Sequence, residues 1–179
     1  MICWNISIWA AMLSMGQQSN QRIQLQNITK QNGEVFIALT YLHPEQKKEC
    51  RMEDLFTNTV SFIKDSLIVD YNNYTESFCE AIKLETHLLY RIRLKDLDPT
   101  QVILMQRKYN LKGNKLLEGQ SAWFEVQLNT VAAKPLITER NLLEHQMHRI
   151  NQLRLIFKTQ ESARRAQATL QELIKIGNN

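Results

Sequence analysis

The side chains with the clearest potential for metal chemistry are histidines with a neighbouring glutamate. His145 and His148 are three residues apart and would share one face of a helix beside Glu144, and His87 could approach them across a helical hairpin. Two imidazoles are at most half of a metal site. No Glu precedes these histidines by three residues, as the repeated Glu-x-x-His pairs of di-iron bundles require. We therefore expect no metal and no other cofactor.

Motifs for covalent or acid–base catalysis are incomplete. The segment 119–123 (GQSAW) places a serine near a glycine but lacks the second glycine of a nucleophile elbow. The segment 113–115 (GNK) lacks the glycine spacing of a phosphate-binding loop. The carboxylates of Asp96 and Asp98 fit helix-capping roles better than acid–base roles. We predict no catalytic residues and a protein that is not an enzyme.

The cysteines and the N-terminus bear on the cellular compartment. Cys3, Cys50 and Cys79 are odd in number and far apart, which argues against a disulfide framework and a zinc site and favours a reducing compartment. Residues 1–15 are apolar, but the segment has no Lys or Arg before its hydrophobic part and is too short to span a membrane. We expect a cytoplasmic protein, with secretion through an N-terminal signal peptide as the alternative.

Positive charge concentrates in the second part of the chain. The net charge is +4; residues 1–80 carry 6 Lys and Arg against 9 Asp and Glu, and residues 81–179 carry 16 against 9. Such a distribution suits an anionic partner such as a lipid surface. Nucleic acid is disfavoured because the aromatic residues lie on apolar stripes rather than among the cations. The candidate anion- or lipid-binding residues are Arg91, Arg93, Lys95, Arg107, Lys108, Lys112, Lys115, Arg154, Lys158 and Arg165.

The elements that would position these side chains are predicted to be long helices. Residues 45–98 contain neither Gly nor Pro, and an apolar stripe with a spacing near 3.6 residues runs through them and predicts burial of Phe56, Ile63, Leu67, Phe78 and Leu89. The weak helix formers of 69–75 (VDYNNYT) indicate a kink. Asp98 and Pro99 then predict the cap of a second helix. The predicted helices span 45–95, 99–131 with a kink near Gly113, and 137–176.

The predicted fold class is all-α: an elongated antiparallel bundle of three to four long, kinked helices with coiled-coil character. Scarce glycine (5) and proline (3) disfavour an all-β fold. The expected organisation is an apolar N-terminal segment (1–16), a short helix or hairpin (17–43) and a long-helix bundle (44–177). For 17–42 the helix is favoured over the hairpin.

The predicted function is a non-enzymatic scaffold or adaptor subunit that assembles with itself or with other helical proteins. Large apolar anchors carry most interface energy, and the candidate partner-binding residues are Trp4, Trp9, Leu153, Phe157 and Leu170. The alternative is a membrane-surface module. The run 106–109 (QRKY), followed by Lys112 and Lys115, is similar to the middle helices of BAR-type domains, which implies binding of anionic lipid through a basic helical face. A typical BAR domain is longer than this chain.

Overall fold

The chain folds mainly into β-sheet. The computed structural model describes residues 3–43, 45–79, 82–109, 115–119 and 122–178, with side chains described from residue 16 onward. These residues form ten strands, two α-helices and two short 3₁₀ turns. The predicted all-α, coiled-coil bundle is therefore wrong, and so are the long helices predicted at 45–95, 99–131 and 137–176.

The strands form two antiparallel sheets in the described part of the chain. They are β1 (Glu34–His43), β2 (Lys48–Ile63), β3 (Ser66–Ser77), β4 (Ile82–Arg93), β5 (Leu97–Lys108), β6 (Lys115–Gly119), β7 (Ala122–Thr130), β8 (Ile137–Asn141), β9 (Gln146–Ile150) and β10 (Gln152–Phe157). The large sheet has the order β6-β1-β2-β3-β4-β8-β9, and the small sheet has the order β10-β7-β5. The face of the large sheet that is turned toward the small sheet is called the inner face below.

Alternation of side chains, rather than helical periodicity, explains the apolar pattern. In β1, Val35, Ile37 and Leu39 are buried on the inner face, while Phe36 between them is 54% exposed on the outer face. The predicted helical stripe contained residues from both faces of the strands. Phe56 and Leu67 are buried as predicted, but Ile63 and Phe78 are 54% and 55% exposed, and Leu89 is half-buried on the outer face.

The sheet turns use left-handed residues other than glycine, which is why glycine scarcity was misleading. Ile63 pairs with Ser66 across a two-residue turn in which Lys64 has a φ of 55°. Lys47 and His145 take similar positive φ values at two other turns. The predicted kink at 69–75 is the middle of β3, where Val, Tyr and Thr suit an extended chain.

Asp98 makes a local turn, but it does not begin a helix. Its carboxylate oxygen Oδ1 accepts hydrogen bonds from the Thr100 backbone N–H at 2.9 Å and from the Thr100 hydroxyl at 2.7 Å. Both bonds lie at the start of β5, where Pro99 needs no ladder partner. The predicted helix cap at Asp98 is therefore wrong, and the same carboxylate stabilises a local turn at the start of a strand.

Two helices pack against the sheets. Helix α1 (Cys3–Asn32) includes residues 17–32, and residues 34–43 of the predicted helix or hairpin are β1. Helix α2 (Gln160–Gly177) begins at Thr159, whose hydroxyl accepts a hydrogen bond from the Ser162 N–H. Its buried residues recur at helical spacing and pack against the small sheet and α1. Only this last part of the predicted helix 137–176 is helical, because Ile137–Phe157 contains three strands.

A buried asparagine joins the two sheets. Asn58 on β2 is 1% exposed, and its Nδ2 donates to Gly33 O at 2.7 Å and to Ile156 O at 3.0 Å. Its Oδ1 accepts from the Ile156 N–H at 2.7 Å. The side-chain amide thus pairs with both backbone groups of a residue on β10, and it uses both of its donor hydrogens and its acceptor oxygen.

Gly33 is required at the junction of α1 and β1 because Asn58 approaches it so closely. A Cβ atom on residue 33 would lie 2.3 Å from Asn58 O and 2.4 Å from Thr29 O, which are both backbone oxygens. The Gly33 N–H donates to Thr29 O at 2.7 Å and ends the helix. The absent side chain therefore allows α1, β2 and β10 to meet at one point.

A disulfide joins Cys50, near the start of β2, to Cys79, which lies two residues after the end of β3. Cys50 and Cys79 are bonded, with Cα atoms 5.4 Å apart. The sequence argument against a disulfide framework is therefore wrong for this pair. An odd number of cysteines does not prevent one pair when strand register places two of them side by side.

We predict that Asn58→Ala lowers the free energy of unfolding by about 3 kcal/mol, because it leaves both Ile156 backbone groups buried without partners. Urea denaturation measures this loss. Asn72→Ala on the outer face is the control, because the Asn72 Nδ2 makes only a long hydrogen bond to Asp70, at 3.4 Å. We expect this substitution to change the free energy of unfolding by no more than about 0.5 kcal/mol. Equal losses in the two variants would show that Asn58 does not join the sheets.

We also predict that Cys50→Ser/Cys79→Ser lowers stability by about 3 to 4 kcal/mol, because the disulfide closes a loop across 29 residues of sequence separation. Dithiothreitol should lower the urea midpoint of the parent to that of the double variant. Cys3→Ser is the control and should keep the sensitivity to dithiothreitol. Three alkylatable thiols in the native, unreduced parent would contradict the pairing.

Candidate functional site

The main candidate site is a cavity of about 500 Å³ between the two sheets. Strands β2, β3, β4, β8 and β9 of the large sheet form its floor, and β7 and β10 form its roof. We call it the inter-sheet cavity. Its volume lies in the range of small-molecule sites.

The apolar walls of the inter-sheet cavity come from both sheets. Strand register places Phe56, Asn73 and Thr86 in one row across the floor, and Tyr71 and Leu88 in the next row. The Trp123 ring stacks on Phe56 with centroids 5.7 Å apart, and Tyr109 supports Trp123 at 5.1 Å. The remaining apolar lining residues are Ile150, Leu153 and Ile156. A flat apolar molecule would therefore meet aromatic and aliphatic surfaces.

Glu125 is the buried carboxylate of the roof, and its oxygens are already engaged. Residues 123 and 125 share one face of β7, and Arg107 lies opposite Trp123 on β5. Trp123 Nε1 donates to Glu125 Oε1 at 2.9 Å, and Arg107 Nε donates to Oε2 at 3.0 Å. Arg154 Nε lies 3.8 Å from the same Oε2. Glu125 therefore orders the roof instead of acting as a free base.

Two tyrosines on the floor keep their neutral form to high pH. Burial raises the pKa of Tyr71 to about 12, and the nearby charges of Glu125 and Asp54 add to the rise, while Arg154 opposes it. Burial also raises the pKa of Tyr90, assisted by the charge of Glu139 and a hydrogen bond to it. Both hydroxyls are therefore protonated hydrogen-bond donors at neutral pH.

Several polar atoms on the inner face have no partner among the described residues. Tyr71 lines the cavity and is partly exposed, and its hydroxyl makes no hydrogen bond to another described residue. Asn73 Nδ2 is buried without a partner, and so is Asp54 Oδ1 in the adjoining row. Burial raises the pKa of Asp54, although a hydrogen bond from Thr75 opposes the rise. Buried polar atoms without partners are uncommon and point to water or a ligand.

The predicted anion-binding residues do not form one surface. Arg107 and Arg154 meet at Glu125, and Arg93 is paired with Asp96 at 2.7 Å. The others lie apart: Arg91 on the outer face of β4, Lys95 in a 3₁₀ turn, Lys108 on β5, Lys115 at the start of β6, Lys158 before α2 and Arg165 on α2. Lys112 is outside the described residues.

The predicted partner-binding residues also separate. Leu153, Phe157 and Leu170 are buried in the core between the small sheet and α2, with exposures of 2%, 0% and 0%. The side chains of Trp4 and Trp9 are outside the described part of the structure. Contacts within the chain therefore account for the burial of the three described residues.

The histidines considered for metal binding lie in different environments. His145 is in the turn before β9, His148 is on β9, and His87 is on the outer face of β4 with its Nε2 2.9 Å from Asp70 Oδ1. Within the described ranges, no three His, Cys, Asp or Glu side chains are grouped closely enough to hold a metal ion.

Sequence reasoning missed the residues of the cavity floor. Tyr71 and Asn73 belong to the VDYNNYT segment that was interpreted as a helix kink. A period of two residues in that segment would have placed Val69, Tyr71 and Asn73 on one face. That alternation was the available signal for a polar group on an otherwise apolar face.

No protein family model, no curated protein and no solved structure matches this chain. The functional argument therefore depends on the geometry of the site. In the described residues, neither helix has the length and apolar character needed to cross a membrane.

We predict that the protein loses stability as pH rises above 10, because Tyr71 has a pKa of about 12 when folded and about 10 when unfolded. The folded state holds the proton more tightly, so its stabilising contribution is complete below pH 10 and is lost toward pH 12. Urea midpoints between pH 9 and 11.5 should fall less steeply in Tyr71→Phe than in the parent. From pH 7 to 9 the urea midpoints of the two proteins should change in parallel. An equally steep fall of the midpoint above pH 9 in Tyr71→Phe would contradict the assignment of the raised pKa to Tyr71.

Proposed function

We propose that the protein is a non-enzymatic binding domain that holds a small, uncharged organic molecule in the inter-sheet cavity. The observation that supports this proposal is the Tyr71 hydroxyl, which has no hydrogen-bond partner among the described residues and lies beside aromatic and aliphatic side chains in a cavity of about 500 Å³. Apolar walls with a few convergent polar groups are typical of ligand sites.

The balance of charge around the cavity favours an uncharged ligand. Glu125 is neutralised by Arg107 and approached by Arg154, so this buried carboxylate has cations of its own. The other carboxylate of the lining, Glu139, interacts with Tyr90. A charged ligand would lose part of its own hydration and would meet side-chain charges that already have partners, which is costly.

The unpaired donors favour a ligand that carries a hydrogen-bond acceptor. Tyr71 and Asn73 are two residues apart on β3 and therefore project from the same face. The Tyr71 hydroxyl is a protonated donor at neutral pH, and Asn73 Nδ2 adds a second donor whose partner is missing. A carbonyl or hydroxyl oxygen placed above Tyr71 would satisfy it, and Asn73 could turn toward the same oxygen.

The adaptor role and the binding of anionic lipid, which were expected from the sequence, remain predictions. Each was argued from long helices, and the described residues form sheets instead. The scattered placement of the basic residues gives neither role a defined surface. The inter-sheet cavity is therefore the better-supported starting point for experiment.

The test is fluorescence titration with Nile red, which is a flat, neutral dye with a carbonyl acceptor, in a Trp4→Phe/Trp9→Phe background in which Trp123 is the only tryptophan. We predict saturable dye fluorescence with quenching of Trp123. Tyr71→Phe should weaken Nile red binding about three- to tenfold through loss of one hydrogen bond. Binding of pyrene, which has no acceptor, should not change.

Cavity filling provides the structural control. Thr86→Tyr places a ring in the cavity floor and should abolish saturable Nile red binding, whereas Thr59→Tyr on the exposed outer face should leave it unchanged. Urea denaturation establishes that both variants are folded. Absence of saturable binding in the parent, or equal binding in the Thr86→Tyr variant, would overturn the proposal.

A further inference from the structure

The inner face continues beyond the inter-sheet cavity toward the turn between β3 and β4. The row that contains Thr86 ends the cavity floor, and the next two rows along the same face carry Leu84 and then Ile82 on β4. Leu84 is 59% exposed and Ile82 is 38% exposed. We call this surface the ledge and define it by Thr75, Ser77, Ile82 and Leu84. It extends about 13 Å from Thr86 to Ile82, at about 3.3 Å per residue.

The ledge presents no exposed charge among its defining residues. Alternation sends the charged side chains of these strands to the outer face, where Arg51 pairs with Glu53 and Lys83 pairs with Glu76. Asp54 lies in the Leu84 row, but it is only 3% exposed. At its Ile82 end the ledge borders Glu76 and Lys83, whose charges are paired with each other. The ledge itself therefore offers two exposed aliphatic side chains without an unpaired charge, and it adjoins the inter-sheet cavity.

The far end of the ledge is held in place covalently. The disulfide joins Cys50 on β2 to Cys79 just beyond β3, and the Phe78 N–H donates to Arg51 O at 3.0 Å. These links extend the pairing of β2 and β3 to the end of the ledge. A preformed surface costs less ordering entropy when a ligand binds.

Building on the proposed function, we propose that the ligand is an uncharged single-chain lipid, with its oxygen at Tyr71 and its hydrocarbon tail running past Thr86 onto Leu84 and Ile82. The cavity supplies the donors for the head, and the ledge supplies the uncharged surface for the tail. Because the two surfaces are continuous, one elongated molecule can contact both the Tyr71 hydroxyl and the exposed Leu84 side chain. This continuity favours a single-chain lipid. Single-chain alcohols represent this chemistry in its simplest form.

The experiment displaces Nile red with 1-alkanols from 1-hexanol to 1-decanol. Affinity for the parent should rise with each methylene, by about fourfold where the group is fully buried and about twofold on the half-open ledge. Leu84→Ser should leave the affinity for 1-hexanol unchanged and should flatten the rise for the longer alcohols. Leu84 is exposed, so this substitution does not endanger folding.

Leu42→Ser is the matched control, because Leu42 is also an exposed leucine, at 37%, but lies on the outer face of β1. It should leave the whole alkanol series unchanged. An alkanol series with the same slope in the parent and in Leu84→Ser would overturn the tail assignment while Nile red binding, and the proposed function, stand. A change from dimer to monomer in Leu84→Ser, measured by sedimentation, would also overturn it and assign the ledge to a second copy of the chain.

Discussion

The hydrogen bonds of Asn58 are the constraint on which the rest of the structure depends. One amide on β2 holds both backbone groups of Ile156 on β10 and one carbonyl at the end of α1. Because side chains alternate along a strand, anchoring Ile156 toward the large sheet also directs Arg154 into the cavity and sends Leu155 and Phe157 under α2. The same few atoms thus set the packing of the core and the composition of the cavity roof.

Asn58 and two of its neighbours differ in whether their buried polar atoms have hydrogen-bond partners. Asn58 uses both donor hydrogens and its acceptor oxygen, whereas Asn73 and Asp54, within two rows on the same face, each bury an atom without a partner in the described structure. Each such atom costs about 1 to 3 kcal/mol. A stability requirement alone would favour apolar residues there. Asn73 lines the inter-sheet cavity, where water or a ligand would supply its missing partner, whereas Asp54 does not line it.

The limits of the sequence prediction follow from two periodicities that coincide. Phe56 and Val60 are four residues apart, a spacing that suits one face of a helix and equally one face of a strand. Ile63 and Phe78 distinguish the two, and both are more than half exposed. The usual signal for hairpin turns was missing because Lys64 takes the position that a glycine commonly occupies. The local hydrogen-bonding role of Asp98 was easier to predict than the helix, because the Thr100 N–H does donate to Asp98 Oδ1.

The candidate site was harder to predict than the strands because its parts come from distant segments. Asn58 and Ile156 are 98 residues apart, and Arg107 and Glu125 are 18 apart on different strands. A single sequence indicates which residues of a strand share a face, but it does not indicate which other strand pairs with that strand. Arg107 and Arg154 were assigned to an anionic partner, and the structure supplies that anion from within the chain as Glu125. With Glu139, the second carboxylate of the described lining, the two arginines and two carboxylates sum to no net charge, and this internal neutralisation is why the walls suit an uncharged ligand.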